Sequence, residues 1–207
     1  MEAMTRDLED AENFLRNGDE VMNVLISRHG PCVLSETKHS LFHTLVKLII
    51  SQQLSSKAAD TISNRLESIV GMPFFPSTIY QTSDKILKSA GISDRKTFCI
   101  KEISKLIMEK DFSFDDLDLK SNEEIILSLT KLSGIGRWTA EMFLIFGFKR
   151  LDVFSQADAG LRRAIKFLYS NSSGKELDLL SLSEKWRPYR SVASWYLWRS
   201  LDSSGSK

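Results

Sequence analysis

Cysteine is scarce in this chain. Two thiols, Cys32 and Cys99, stand among 207 residues, too few for a disulfide framework and without the paired spacing of a zinc knuckle or an iron–sulfur site. Proline and glycine are few as well, at four and ten, which excludes a collagenous or low-complexity chain. No apolar run approaches the ~20 residues that cross a bilayer, and the polar N-terminal stretch lacks a signal-peptide pattern. A soluble intracellular protein is therefore expected, with no membrane partner. The three histidines, His29, His39 and His43, have no acidic or thiol neighbour at metal-ligand spacing, so zinc is not expected. An alternating strand pattern is also missing, and so are repeats and heptads.

What is present is helical periodicity over a composition 42% apolar, enough for a real core. Helices are expected at 7–18, 19–29, 40–51, 57–70, 83–90, 93–110, 122–131, 137–148, 159–168 and 190–201, with a short one at 182–186. Ser121 reads as an N-cap, with Glu123 and Glu124 in the first turn where the helix dipole favours acid. Turns are expected at 72–76, at 112–119 and over 170–175. The fold class that follows is all-α, as one large domain or two smaller ones sharing a cleft.

The stretch from 131 to 166 organises the rest. It sets a tight turn, Leu132-Ser133-Gly134-Ile135-Gly136, between two helical runs. Glycines permit positive φ and close backbone approach. The unpaired amides that open the second helix offer a seat for a phosphate oxygen. Helix, turn and helix make a helix-hairpin-helix, a device that grips a nucleic-acid backbone without reading bases. A similar sequence at 88–93 reads as a degenerate, structural second hairpin. Charge supports the reading: the net charge is only +1, yet residues 131–166 carry seven basic side chains against three acidic, and residues 1–40 four against eight. A protein that grips one short DNA segment needs one basic patch and no more.

Twenty-two residues past Gly136, at the start of a further helix, stands Asp158. By itself it reads as a helix N-cap. Gly134-Ile135-Gly136-Arg137-Trp138-Thr139-Ala140, then Asp152-Val153-Phe154, then an aspartate four residues on, resembles the helix-hairpin-helix-Gly-Pro-Asp superfamily of base-excision DNA glycosylases. Within it the chain is most similar to the AlkA/Mag-type 3-methyladenine DNA glycosylases, over about residues 40–201. The resemblance implies one glycosylase domain over 1–207, built of two helical subdomains flanking a cleft. One would span 40–120; the other would combine 121–207 with the N-terminal helices of 1–39.

The same resemblance implies roles. Asp158 would face C1′ of an extruded nucleotide and stabilise the oxocarbenium-like state formed as the N-glycosidic bond breaks. Trp138 stands where relatives that also cut the backbone carry a Schiff-base lysine, which implies a monofunctional hydrolase without a lyase step. Trp138 and Trp198 match aromatic pocket positions, and an aromatic face suits a cationic alkylated purine. The polar break Gln53-Leu54-Ser55 matches a segment that enters the minor groove, with Leu54 as the apolar wedge. Gly134, Ile135 and Gly136 would meet a phosphate, with charge from Lys131 and Arg137. Backbone carbonyls of Thr130, Leu132 and Ile135 match positions that hold a sodium or potassium ion; no other cofactor is implied. The expected partner is double-stranded DNA with an alkylated base or an abasic site, met by a monomer in a nucleus or bacterial nucleoid.

The chain departs from the family pattern in two places. Ser155-Gln156-Ala157 fills the approach to Asp158 where relatives often have proline after Asp-Val-Phe, and Ser55 is small for the wedge. Two readings stay open: excision of alkylated purines, or recognition of damaged and abasic DNA without excision.

Overall fold

The computed structural model describes residues 2–34, 39–169 and 178–202. The turn expected over 170–175 lies outside them. Among the described residues the secondary structure is entirely helical: α1 (Glu2–Gly18), α2 (Glu20–His29), α3 (Leu41–Ser51), α4 (Ser56–Val70), α5 (Pro76–Gln81), α6 (Asp84–Ser89), α7 (Asp94–Glu109), α8 (Asn122–Leu129), α9 (Arg137–Phe146), α10 (Ala159–Tyr169), α11 (Leu179–Glu184) and α12 (Arg190–Asp202). Polar caps set the boundaries where the sequence announced them. Asp19 accepts from the amides of Val21 and Met22 to open α2, Ser40 caps α3, and Ser121 with Glu124 closes a reciprocal capping box on α8. The helix α5 was not expected; its six residues carry too little periodicity to register, and its start is set by Pro76 at the first helical position.

The chain forms two compact units. One is residues 39–148; the other joins 1–38 to 149–207. The N-terminal helices thus pack with the C-terminal ones, α1 and α2 on each other and on α12. Tyr196 of α12 donates its hydroxyl to Glu12 at 2.6 Å, with the carbonyl of Gly30 2.9 Å from the same oxygen. Tyr169 and Trp186 both donate to Asp19 Oδ2, at 2.9 and 3.0 Å. The boundary expected at 120/121 lies instead at 148/149. Residues 121–148 stay with 39–120 because α9 is buried from Thr139 to Ile145 and packs on α3 and α8.

Candidate functional site

In the unit of 39–148 the expected hairpin is present. α8 ends at Leu129, the turn runs through Gly134, and α9 begins at Arg137. The two glycines of the turn differ in kind. Gly134 has φ +77°, and a Cβ there would lie 2.9 Å from Cys99 Sγ; the thiol itself donates to the carbonyl of Ser133 at 2.7 Å. Burial pushes that thiol up to about 11, so it stays protonated and can donate. Gly136 has neither constraint: its φ is −91°, and a Cβ would meet nothing within 4 Å. It is the N-cap of α9 and supplies no side-chain cap, so the first amides of α9 have no capping acceptor from it.

Ile135 is buried, and its N–H closes the turn on the carbonyl of Leu132 at 3.1 Å. Lys131 is exposed. Arg137 is exposed but already paired within the chain: its guanidinium forms a two-pronged pair with Glu123 and a 2.9 Å bond to Glu141. That hydrogen bonding holds the Glu123 carboxyl below its usual range. The charge expected for a phosphate is therefore shared with two carboxylates.

The segment expected as a wedge leaves α3 and enters α4. Gln53 takes φ +57°, a left-handed conformation uncommon outside glycine. Leu54 is 40% exposed. Ser55 is the N-cap of α4, accepting from the amide of Ala58 at 3.3 Å, so its small size answers to capping. One residue before the expected three, Gln52 donates through Nε2 to the carbonyl of Gly134 at 3.1 Å and to Thr139 Oγ1 at 3.0 Å. The sequence carried no signal for that bridge, which joins positions more than eighty residues apart.

In the other unit, Asp158 sits at the start of α10 and is 8% exposed. Its Oδ1 accepts from the amide of Leu161 at 2.7 Å, so it is a helix N-cap, and from Trp198 Nε1 at 3.0 Å. Gly160 makes room for this arrangement. A Cβ there would lie 3.0 Å from Asp158 Oδ1 and 3.2 Å from Trp198 Cδ1. The segment leading to Asp158 is clamped by the start of α12. Arg190 holds Asp152 with Nε on Oδ1 at 2.6 Å and a terminal nitrogen on Oδ2 at 3.0 Å, and Arg187 adds a contact at 3.1 Å. Ser191 Oγ accepts from Val153 N and donates to the carbonyl of Arg150. Gly160, Arg190 and Ser191 had no signal in the sequence, because each matters only through a distant partner. Trp138 is half-buried on α9 and Trp198 half-buried on α12, so the two expected pocket tryptophans belong to different units. Among the described residues no group of three His, Cys, Asp or Glu side chains could hold a metal ion.

Known proteins are similar to this chain in sequence and in fold. Residues 46–188 match the family model of the HhH-GPD superfamily base excision DNA repair proteins. The chain is 36% identical over 183 residues to DNA-3-methyladenine glycosylase 1 of Schizosaccharomyces pombe, covering 84% of this chain and 78% of that one. It is 31% identical over 199 residues to the alkylbase DNA glycosidase-like protein mag2 of the same yeast, covering 93% of each. Among solved structures, the Schizosaccharomyces pombe 3-methyladenine DNA glycosylase in complex with abasic DNA superposes with a TM-score of 0.81 at 34% identity, over 93% of this chain and 97% of that one. A helix-hairpin-helix, a family model matched over residues 46–188 and relatives matched over most of the chain lead to one assignment: the chain belongs to the HhH-GPD superfamily of base excision DNA repair proteins.

Proposed function

We propose that this protein is a monofunctional DNA glycosylase that hydrolyses the N-glycosidic bond of alkylated purines in duplex DNA. The observation that carries the reading is Asp158, a nearly buried carboxylate with one oxygen fixed by an amide and an indole N–H. When the glycosidic bond breaks, its electron pair leaves with the base and positive charge builds on the sugar. A cationic alkylated purine departs neutral, and water adds to C1′ and loses its second proton to solvent. A carboxylate already held in place stabilises that charge without reorganising, and loss of one such preorganised group typically costs about 10²–10³ in rate.

Phosphate contact is supported by Gly136. Neither its backbone angles nor its surroundings demand a glycine, and a close-approaching ligand backbone does. Leu54 is the exposed apolar side chain suited to fill the space left by an extruded nucleotide. Trp138 offers an aromatic face to a cationic base and no amine for a Schiff base, hence no lyase step. Trp198 is assigned a positioning role toward Asp158, since its N–H is committed to that carboxylate. The carbonyls of Thr130, Leu132 and Ile135 are neutral oxygen donors, a set suited to a monovalent alkali cation that would bridge turn and phosphate. Of these, Leu132 already accepts one hydrogen bond within the turn. A DNA substrate implies work in a nucleus or nucleoid.

Release of free base from methylated duplex DNA under enzyme excess tests the proposal, with wild type beside Asp158→Asn. Asparagine caps a helix as well as aspartate does, so the variant keeps the fold. The expected result is release by wild type, loss of release in the variant, and abasic-duplex binding by both. Tight abasic binding with no release by wild type would overturn excision in favour of recognition alone.

A further inference from the structure

The four carbonyls that end a helix have no helical partners, and at the end of α3 each finds a different donor. Leu48 O accepts from Ser51 Oγ at 2.8 Å, Ile49 O from the amide of Gln52 at 3.3 Å, and Ser51 O from the amide of Leu54 at 3.1 Å. The fourth, Ile50 O, accepts from Lys96 Nζ at 2.8 Å. Lys96 also donates to the carbonyl of Gln52 at 2.7 Å. Its partners are backbone carbonyls, not a carboxylate. The ammonium stays half-buried although burial pulls its pKa down, and it lies where the dipole of α3 is negative.

One turn further along α7, Cys99 holds the hairpin through Ser133 and underlies Gly134. Gln52 closes the figure, since its main-chain oxygen is held by Lys96 while its side chain is bonded to Gly134 and Thr139. A single face of α7 therefore fixes both the loop that presents Leu54 and the turn that presents Gly136. The loop needs such a frame: Gln53 holds a left-handed conformation, and a side chain driven between stacked bases pushes back on the loop that carries it.

We propose that Lys96, with Gln52, is a positioning residue that couples the hairpin's grip on the DNA backbone to insertion of Leu54. The inference rests on the function proposed above. Without Lys96 the loop yields and the bases restack, while phosphate contacts at the turn persist. Misplacement of a group by about 1 Å can cost about 10²-fold in rate.

The test uses the full chain and a duplex with an abasic-site analogue flanked by 2-aminopurine, whose fluorescence rises on unstacking, alongside single-turnover release from methylated duplex. For Lys96→Met the expected result is near-normal abasic-duplex affinity, loss of the fluorescence rise, and a fall of up to about 10²-fold in the release rate. Lys96→Arg should restore most of both signals, which a purely structural role in folding would not require. Gln52→Ala leaves the carbonyl caps in place and should lose part of the fluorescence rise, so it carries the test should Lys96→Met fail to fold. A wild-type fluorescence rise in well-folded Lys96→Met, or in Gln52→Ala if the former does not fold, would overturn the inference. Unstacking by wild type without base release would overturn the excision reading and leave the coupling standing. No abasic binding by wild type would overturn both.

Discussion

The loop at 52–55 and the loop at 150–158 do the same local job. Each is an irregular segment that feeds a helix through a side-chain cap, Ser55 onto α4 and Asp158 onto α10. They are held differently. The first is braced at its backbone, with an ammonium and an amide side chain satisfying carbonyls and the side chains at the tip left outside. The second is braced by a two-pronged ion pair and a hydroxyl, and the side chain it delivers is turned inward and fixed. The second loop has its main chain held as well, by Ser191 on Val153 and Arg150, and in addition both its carboxylates are fixed, Asp152 by Arg190 and Asp158 by Trp198. The caps differ accordingly, because Ser55 only caps, whereas Asp158 caps and carries the charge proposed to meet the sugar.

The comparison breaks most sharply at the Asp158 end. Trp198→Phe keeps the ring and removes the donor. A hydrogen bond to a charged group is worth about 1.5–3 kcal/mol, so the single-turnover release rate should fall roughly 10- to 100-fold. Gly160→Ala forces a methyl against both partners and should act in the same direction with a smaller effect. In both, abasic-duplex affinity should change little. An equal loss of affinity and rate would mean that Trp198 belongs to DNA binding and not to aiming the carboxylate.

The hairpin glycines sharpen the other side. Gly134→Ala puts a β-carbon at φ +77° and 2.9 Å from Cys99 Sγ, so it should lower the urea-unfolding free energy by about 1–3 kcal/mol. Gly136→Ala meets nothing and keeps an ordinary φ. Its stability should fall by less than about 1 kcal/mol, the cost of alanine in place of glycine at an N-cap, while its affinity for abasic duplex drops. Identical behaviour in the two variants would remove the argument that Gly136 is reserved for a phosphate.

These differences mark where the sequence was legible. The all-α class, most helices and the hairpin rest on local patterns of spacing, caps and glycines, and those survive in one dimension. Asp158 was visible both as a cap and through its distance from Gly136. The brackets that hold the two loops were not visible. Lys96 reads as one more lysine on an amphipathic helix, Gly160 as a weak point in α10, and Arg190 as ordinary solvated charge. Each gains meaning from a partner tens of residues away, and no periodicity encodes that. The unit boundary was misplaced for the same reason, because the burial of α9 is decided by α3, some ninety residues earlier. Arg137 shows the converse. Its place beside the turn suggested a phosphate contact, yet Glu141, one turn on along the same helix, takes part of its charge.

The smallest effect tests whether the unit of 39–148 carries a pH sensitivity of its own. His43, toward the start of α3, is fully buried. Its Nδ1 accepts from the amide of Phe74 at 3.1 Å, and its ring stacks on that of Phe74 and contacts that of His39. Burial first, then the charges of His39 and Lys47, lower its pKa from 6.5 to about 4, against an opposing pull from Glu67. Nε2 lies 3.8 Å from Glu67 Oε1, too far to hydrogen bond. The unfolded chain binds a proton near pH 6.5, and the folded one does so only near 4. Stability is therefore complete above pH 6.5, falls as pH drops through that window, and loses nothing more to this group below about 4. Between pH 7 and 5.5 the loss should be about 1 kcal/mol, read from urea midpoints. His43→Asn keeps a short acceptor for Phe74 without a group that titrates, so it should be less stable at pH 7 yet lack this part of the slope. A slope unchanged in the variant would assign the sensitivity to other groups and leave His43 as packing alone.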